Sequence, residues 1–531
     1  MQYRVFDQNQ WLFPDIHRTD GKPEGEITLL KGQTGAFQVQ FSELPVGASV
    51  HWAVEGLDGI TVQLYREKEI CVNRNTGDMQ FGGLTSDDWE LISRHRIRQA
   101  PYRGYDPLIP AEGLTAEKAQ EAYCIVLIPG ENIPAGTKSG FCHVFFGDES
   151  VRLPLTVHVE SKVLPPQTLN LTNWMGVWHV AKAHGLEYGS DAHMEMVRRY
   201  IHSMIDCHQN IFFISFGDLK AEKVNGYPVF DFSGVKRWAE LALECGIEKL
   251  EWSHLINKAS YRDTPFLIRD ITDGGKQLNC LARNGRKYLT AFLDQFNTFL
   301  TENGWREISM VHICDEPKEH CATDYRILSG IFRKYLPGIR LMDAIEIFFI
   351  EDALDIYVPK NYYYQQNRDD FESIRDEHNE LWFYTCNMPG GKFLNRLLDA
   401  PLLNTRLLHW GNYRFHLTGY LHWAYFQLSP TQDPFEETSR DSALPAGDTH
   451  IVYPGEDGPL LSLRWLQMKC GTEDYEILTA LSATNKDKAD KLCARALLTF
   501  DEYVTDTNEF EEIRTEVIRA YAGETESPLA P

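Results

Sequence analysis

The sequence predicts a multidomain chain: an N-terminal antiparallel β-sandwich, then a (β/α)8 barrel of the TIM type with C-terminal helices. Three observations predict it. Short β-branched or alternating runs, separated by Gly, Pro, Asn and Asp, fill the first 160 or so residues. A stiff Val163-Leu164-Pro165-Pro166-Gln167 segment follows. Beyond it, strand-length apolar runs alternate with helix-length amphipathic segments.

The sandwich strands are expected at Glu26–Leu30, Ala36–Phe41, Ser49–Val54, Ile60–Tyr65, Ala122–Ile128, Gly140–Phe146 and Arg152–Val159. A longer polar stretch, Thr85–Gly113, reads as an irregular excursion. These elements define a first domain, residues 1–162, and leave 163–531 for the second.

In the second domain the strand signals are Trp174–Val180, Ile211–Phe216, Lys249–Leu255, Ile308–Cys314, Ile339–Ile345, Leu354–Val358, Leu381–Cys386 and Leu417–Phe426. Helices are expected at Ala192–Asp206, Val235–Glu244, Lys287–Glu302 and Tyr325–Tyr335, with more packed helix between Asp474 and Ala522. A doubly wound sheet would carry a Gly-rich phosphate turn after its first strand, and none is present.

Composition narrows the function. The 531 residues hold 52 Lys plus Arg against 76 Asp plus Glu, a net charge of −24. Such a surface repels phosphate backbones and anionic lipid, so nucleic acid and membrane surfaces are poor partners. No stretch approaches the ~20 apolar residues of a membrane helix, which predicts no membrane insertion. The start, Met1-Gln2-Tyr3-Arg4-Val5-Phe6-Asp7, has neither a basic nor an apolar leader segment. With eleven scattered cysteines, this predicts a cytoplasmic protein with free thiols. Nothing in the pattern sets an oligomeric state.

In a (β/α)8 barrel the chemistry collects where strands end. The fourth strand signal runs Ile308-Ser309-Met310-Val311-His312-Ile313-Cys314 and then releases Asp315-Glu316-Pro317. Two adjacent carboxylates at such a terminus are the candidate catalytic pair, since close like charges push one pKa up, as a general acid at neutral pH requires. The seventh signal ends in Asn387 without a carboxylate, so no second acid stands out as a nucleophile. That gap suits a substrate-assisted mechanism, in which the sugar's own 2-acetamido oxygen attacks C1. Asp343, Glu346 and Asp355 stay open as nucleophiles of a conventional two-carboxylate glycosidase, and a silent glycan-binding protein is the alternative from another class.

Aromatic rings stack on sugar C–H faces. Trp174, Trp252, Tyr363, Tyr384, Trp410 and Trp423, with the polar His179, His254 and Asn387, are therefore the candidate substrate-binding residues. His312, Cys314, His320 and Cys321 match no closed zinc spacing, and neither a metal nor any other cofactor is expected.

The Asp315-Glu316-Pro317 strand end resembles glycoside hydrolase family 123, the β-N-acetylgalactosaminidases. So do Gly419-Tyr420-Leu421-His422-Trp423 and the C-terminal run Gly447-Asp448, Tyr453-Pro454-Gly455, Ser462-Leu463-Arg464 and Gly471-Thr472-Glu473-Asp474-Tyr475-Glu476. The resemblance covers most of the chain. It implies exo-cleavage of terminal β-linked N-acetylgalactosamine from glycans or glycolipids, with retention, through an oxazolinium-like intermediate. It also implies that Glu316 is the acid/base and that Asp315 steadies the acetamido nitrogen.

Overall fold

The computed structural model of the chain describes residues 1–76, 97–260, 263–439 and 444–523. Two sheets pack face to face at the N-terminal end. One joins Gln2–Asp7, Gly35–Ser42, Gln120–Pro129, Ile60–Val72 and Tyr102–Pro110 in that order; the other joins Gly25–Lys31, Glu149–Val163, Gly136–Phe146 and Val50–Glu55. Alternation explains the packing: Val39, Phe41, Tyr123 and Ile125 from the first sheet meet Leu29, Phe146, Leu153 and Leu155 from the second in one core. The pairing is antiparallel apart from Gly25–Lys31, which runs parallel to Glu149–Val163.

Two expectations change here. The stretch Thr85–Gly113 is not wholly irregular, because Tyr102–Pro110 is a strand, while 85–96 lies outside the described residues. The first sheet also does not end with the N-terminal segment. Pro459–Ser462 returns from far along the chain to pair antiparallel with Tyr102–Pro110, and Tyr453–Pro454 pairs with it in turn. The join is fastened by a fully buried ion pair, Arg464 Nη2 to Asp106 Oδ2 at 2.9 Å, with the Tyr453 hydroxyl donating to the same oxygen at 2.7 Å. Glu473 likewise accepts from the backbone and hydroxyl of Thr34, both at 2.8 Å.

After the proline segment come eight parallel strands: β1 (Asn170–Met175), β2 (Ile211–Ile214), β3 (Lys249–Trp252), β4 (Ser309–His312), β5 (Arg340–Ile345), β6 (Ile356–Pro359), β7 (Phe383–Thr385) and β8 (Gly419–Phe426). They form two hydrogen-bonded ladders. One runs β2-β3-β4-β5-β6 and on to a two-residue strand, Glu380–Leu381; the other runs β7-β8-β1. The ladder is therefore interrupted between β1 and β2 and, around Trp382, between Leu381 and β7. Amphipathic helices Asp191–Asp206, Ser233–Cys245, Arg283–Glu302 and Ala322–Tyr335 connect the strands as the periodicity predicts. Two long helical segments, Leu463–Ala496 and Thr507–Ala522, close the chain.

An inner cluster draws Ile211, Met310, Met342, Ala344, Ile356, Val358, Trp382, Tyr384, Cys386 and Leu421 together, with Trp174, Met388 and Trp423 packed against it. The first strand departs from expectation: it stops at Met175, and Val177–Ala183 is helical. Within that helix only Val180 and Ala181 are buried. All eleven cysteines are free. Among the described residues no helix is long and apolar enough to cross a membrane.

Candidate active site

Every residue of β4 is buried, and Ile313 and Cys314 carry the chain out of the wall. Glu316 then takes a left-handed backbone, φ 42°, with its N–H donating to the Ala344 carbonyl at 3.1 Å. A left-handed non-glycine residue costs about 1–2 kcal/mol, so the surrounding contacts hold this turn. It breaks the strand's alternation just where the two carboxylates emerge.

Glu316 is largely covered, with 13% of its side chain exposed. Its Oε1 accepts from the Tyr384 hydroxyl at 2.5 Å. Lys360 Nζ lies 3.6 Å from the same oxygen, and Lys318 Nζ lies 3.9 Å from Oε2. Lys258, on a hairpin inserted after β3, donates to the Glu316 carbonyl at 2.6 Å. Burial and the Glu316 charge push the Tyr384 phenol far above its ordinary range, so it stays a donor.

Asp315 is the opposite case. Its side chain is 59% exposed, yet protein surrounds it closely enough that loss of solvation raises its pKa. His254 nearby pulls that pKa down, and the Glu316 and Asp343 carboxylates push it up.

Beneath Asp315 lies a buried row of charges. His312 places Nε2 2.7 Å from Glu251 Oε1 and Nδ1 2.8 Å from Asp343 Oδ1, and all three side chains are fully buried. Burial alone would lower the His312 pKa, but hydrogen bonds to Asp343 and Glu251 outweigh it and raise the pKa to about 9. Glu251 also accepts from Trp174 Nε1 at 2.7 Å and Thr172 Oγ1 at 2.5 Å. The other oxygen of Asp343, Oδ2, accepts from the Ile313 and Cys314 N–H groups at 3.1 and 3.0 Å and from the Tyr325 hydroxyl at 2.5 Å. Burial would raise the Asp343 pKa, but contacts with His254 and His312 hold it below the usual carboxylate range.

His254, His312 and Asp343 bring ligand-type atoms within 4.8 Å of one another, close enough to suggest a cation. However, His312 uses both ring nitrogens on carboxylates, and an imidazolium has no lone pair left for a metal.

The expected residues divide. Asp315, Glu316, His254, Trp174 and Tyr384 gather around β4. Trp423 packs on the inner cluster, its Nε1 donating to Asp448 at 3.1 and 3.2 Å. Asn387 follows β7 half-buried, accepting from the Cys386 thiol at 3.0 Å. Trp252 does not face the site: it stacks among Phe216, Phe296, Phe299 and Trp305 on the helix side of β3. Trp410 is buried in the helix Leu403–Phe415, donating to Asp474 at 3.0 Å. His179 and Tyr363 sit on the short helices Val177–Ala183 and Asn361–Gln366, with His179 bonded to the Leu428 carbonyl at 2.5 Å.

The other carboxylates weighed as nucleophiles each have ion-pair partners, and Glu346 shares its lysines with Glu316. Glu346 bridges Lys360, at 2.6 Å, and Lys318; burial raises its pKa, but the two lysines outweigh this and hold it low. Asp355 precedes β6, at the strand end opposite the site, and pairs with Arg333 at 3.0 Å. Sequence reading missed Lys258, Lys318, Lys360 and Glu251, for which spacing offered no signal.

A strand end that presents two adjacent acids, one clamped by a phenol and lysines and the other open beside an imidazole, is the furniture of an enzyme that cleaves glycosidic bonds. The description "Glycoside hydrolase 123, catalytic domain" matches residues 174–481. The chain belongs to glycoside hydrolase family 123. It shares the fold of a family 123 glycoside hydrolase from Clostridium perfringens, whose structure is described as detailing glycolipid glycan hydrolysis. That likeness has a TM-score of 0.75 and 13% identity, covering 98% of this chain and 97% of that one. A β-glucuronidase from Parabacteroides merdae aligns far more loosely, at TM-score 0.33 and 10% identity over 82% of this chain and 50% of that one. A GH10 xylanase with a bacterial Ig-like domain, from termite gut, aligns at TM-score 0.37 and 10% identity over 86% of this chain and all of the other. A search of curated proteins returns no match.

Proposed function

We propose that this glycosidase is a retaining exo-β-N-acetylgalactosaminidase that releases terminal β-linked GalNAc from a glycan or glycolipid by substrate-assisted catalysis. One observation carries the reading. Asp315 and Glu316 stand at one strand end, while Glu251, Asp343 and Glu346 are each tied into ion pairs or hydrogen bonds of their own and Asp355 lies at the opposite end. With the three carboxylates weighed as nucleophiles, Asp343, Glu346 and Asp355, so engaged, the substrate's own acetamido oxygen takes that part.

In this mechanism the acetamido oxygen attacks C1 as the bond to the leaving oxygen breaks, and Glu316 delivers the proton that oxygen needs. The Asp315 carboxylate accepts a hydrogen bond from the acetamido N–H and offsets the positive charge of the oxazolinium ring. Glu316 then removes a proton from the water that opens the ring at C1, which restores the original anomeric configuration. Tyr384 and Lys360 steady Glu316 each time it becomes anionic. Trp174 and Trp423, at the top of the inner cluster, supply faces for the sugar ring.

The same reading takes 1–162 as a β-sandwich domain and 163–531 as a (β/α)8 catalytic domain with a C-terminal helical segment. The inner cluster drawn from β2 and β4 to β8 supports a closed barrel, as does the Leu171 N–H donating at 3.0 Å to Asn210, beside β2, across the gap in the ladder.

The test compares aryl β-N-acetylgalactosaminide with aryl β-galactoside. Only the former should be cleaved, and equal turnover of both would end the substrate-assisted reading. Glu316→Gln should hurt poor leaving groups most. Asp315→Asn should slow every substrate, by ~3–4 kcal/mol in the barrier.

A further inference from the structure

His254 follows β3 and stands between two acidic oxygens that belong to different layers of the site. Its Nε2 is 3.3 Å from Asp343 Oδ1 in the buried row and 3.9 Å from Asp315 Oδ1 above. It is aligned with neither, so among the described residues this buried ring nitrogen has no hydrogen-bond partner. Orphaned buried polar groups are rare and cost about 1–3 kcal/mol. The ring is held in that position, its centroid 4.3 Å from that of His312 and 5.6 Å from that of Trp174. Asp343 already has a donor on each oxygen, His312 on Oδ1 and Tyr325 with two backbone N–H groups on Oδ2, so it does not depend on His254 for satisfaction.

We infer that His254 is a positioning residue for Asp315: when the acetamido group enters, the Asp315 side chain turns onto Nε2, and the new hydrogen bond fixes its rotamer and keeps it a carboxylate. The buried row is what makes this work. Glu251 and Asp343 clamp His312, His312 and Trp174 pack the His254 ring, and its Nε2 is left between Asp343 and the one acid that must move. This rests on the proposed role of Asp315.

The groups that face Asp315 are His254 after β3, His312 and Glu316 on the β4 segment, and Asp343 on β5; Lys258, on the hairpin that overlies the segment, contacts the Glu316 backbone. His254 is the nearest of them to lower the Asp315 pKa. Removing it takes that lowering away, so the carboxylate is lost at a higher pH. The acid limb of the kcat/KM profile must then move up.

The experiment uses the full chain with aryl β-N-acetylgalactosaminide. His254→Phe should cut kcat at least tenfold and move the acid limb upward by half a unit or more. His254→Gln, which keeps a donor without a charge, should recover part of the rate but leave the limb shifted. In an Asp315→Asn background, His254→Phe should cost less than twofold, because its partner is gone. An unmoved limb, or an equal loss in the Asp315→Asn background, overturns the proposal. Thermal unfolding within a few degrees of the parent confirms that each variant folds; should His254→Phe fail, the Gln pair decides by the same two readouts. If Asp315→Asn alone leaves activity intact, the failure belongs to the substrate-assisted reading and not to His254.

Discussion

The buried His312 predicts how stability varies with pH, and the magnitude follows from the structure. Its folded pKa is about 9 against an ordinary 6.5, because two fully buried acids bracket the ring. A group whose pKa is raised by folding stabilises the protein fully below its unfolded value, and that contribution is lost as pH rises through the folded one. The window therefore runs from about 6.5 to about 9. At 1.36 kcal/mol per unit, the loss amounts to roughly 3 kcal/mol. His312→Gln removes the titrating group. At pH 6 it should destabilise by about 3–5 kcal/mol, since two buried acids lose their shared cation. Across the window, however, its stability should fall less steeply than that of the parent. Urea unfolding followed at half-unit steps from pH 6 to 9.5 gives both curves, and their difference reports His312 together with the two acids it pairs. Parallel curves would refute the reasoning, because they would mean that His312 is not protonated between Glu251 and Asp343.

Two further outcomes follow. Tyr384→Phe deletes the hydroxyl that donates to Glu316; a hydrogen bond to a charged group is worth about 1.5–3 kcal/mol, so kcat/KM should fall roughly ten- to a hundredfold, and an unchanged value would show the contact to be idle. Trp410→Phe removes the donor to Asp474 and should lower unfolding stability by about 1–2 kcal/mol while leaving KM within twofold, whereas a large KM change would return Trp410 to the sugar site.

The outline of the candidate site was legible because Asp315 and Glu316 are local: an apolar run, two acids and a proline announce a strand end whatever surrounds them. His254 was singled out by the same rule, at the end of β3. Trp252 was misplaced because composition marks an aromatic on a strand but not which side of the wall it faces; Phe296 and Phe299 of a later helix decide that. Trp410 was misplaced because a buried indole reads like a sugar platform until Asp474 is seen to accept its proton. The C-terminal run that carried the family resemblance does structural work. Arg464 meets Asp106 and Glu473 meets Thr34, which binds the N-terminal sheets to the rest of the chain, while Asp474 meets Arg406 and Glu476 meets Thr168 within the second region.

By itself, then, the sequence determined the alternating grammar of strands and helices, the acidic surface and the position of the candidate acid pair, since each depends on neighbours within a turn or a strand. Only the tertiary structure decided what those acids meet. Tyr384 reaches Glu316 from 68 residues away, and His312 joins Glu251 and Asp343 across 61 and 31. The register of adjacent strands sets the His312 partnerships and closure across the strands sets that of Tyr384, and both depend on how the whole sheet packs, which local periodicity does not encode.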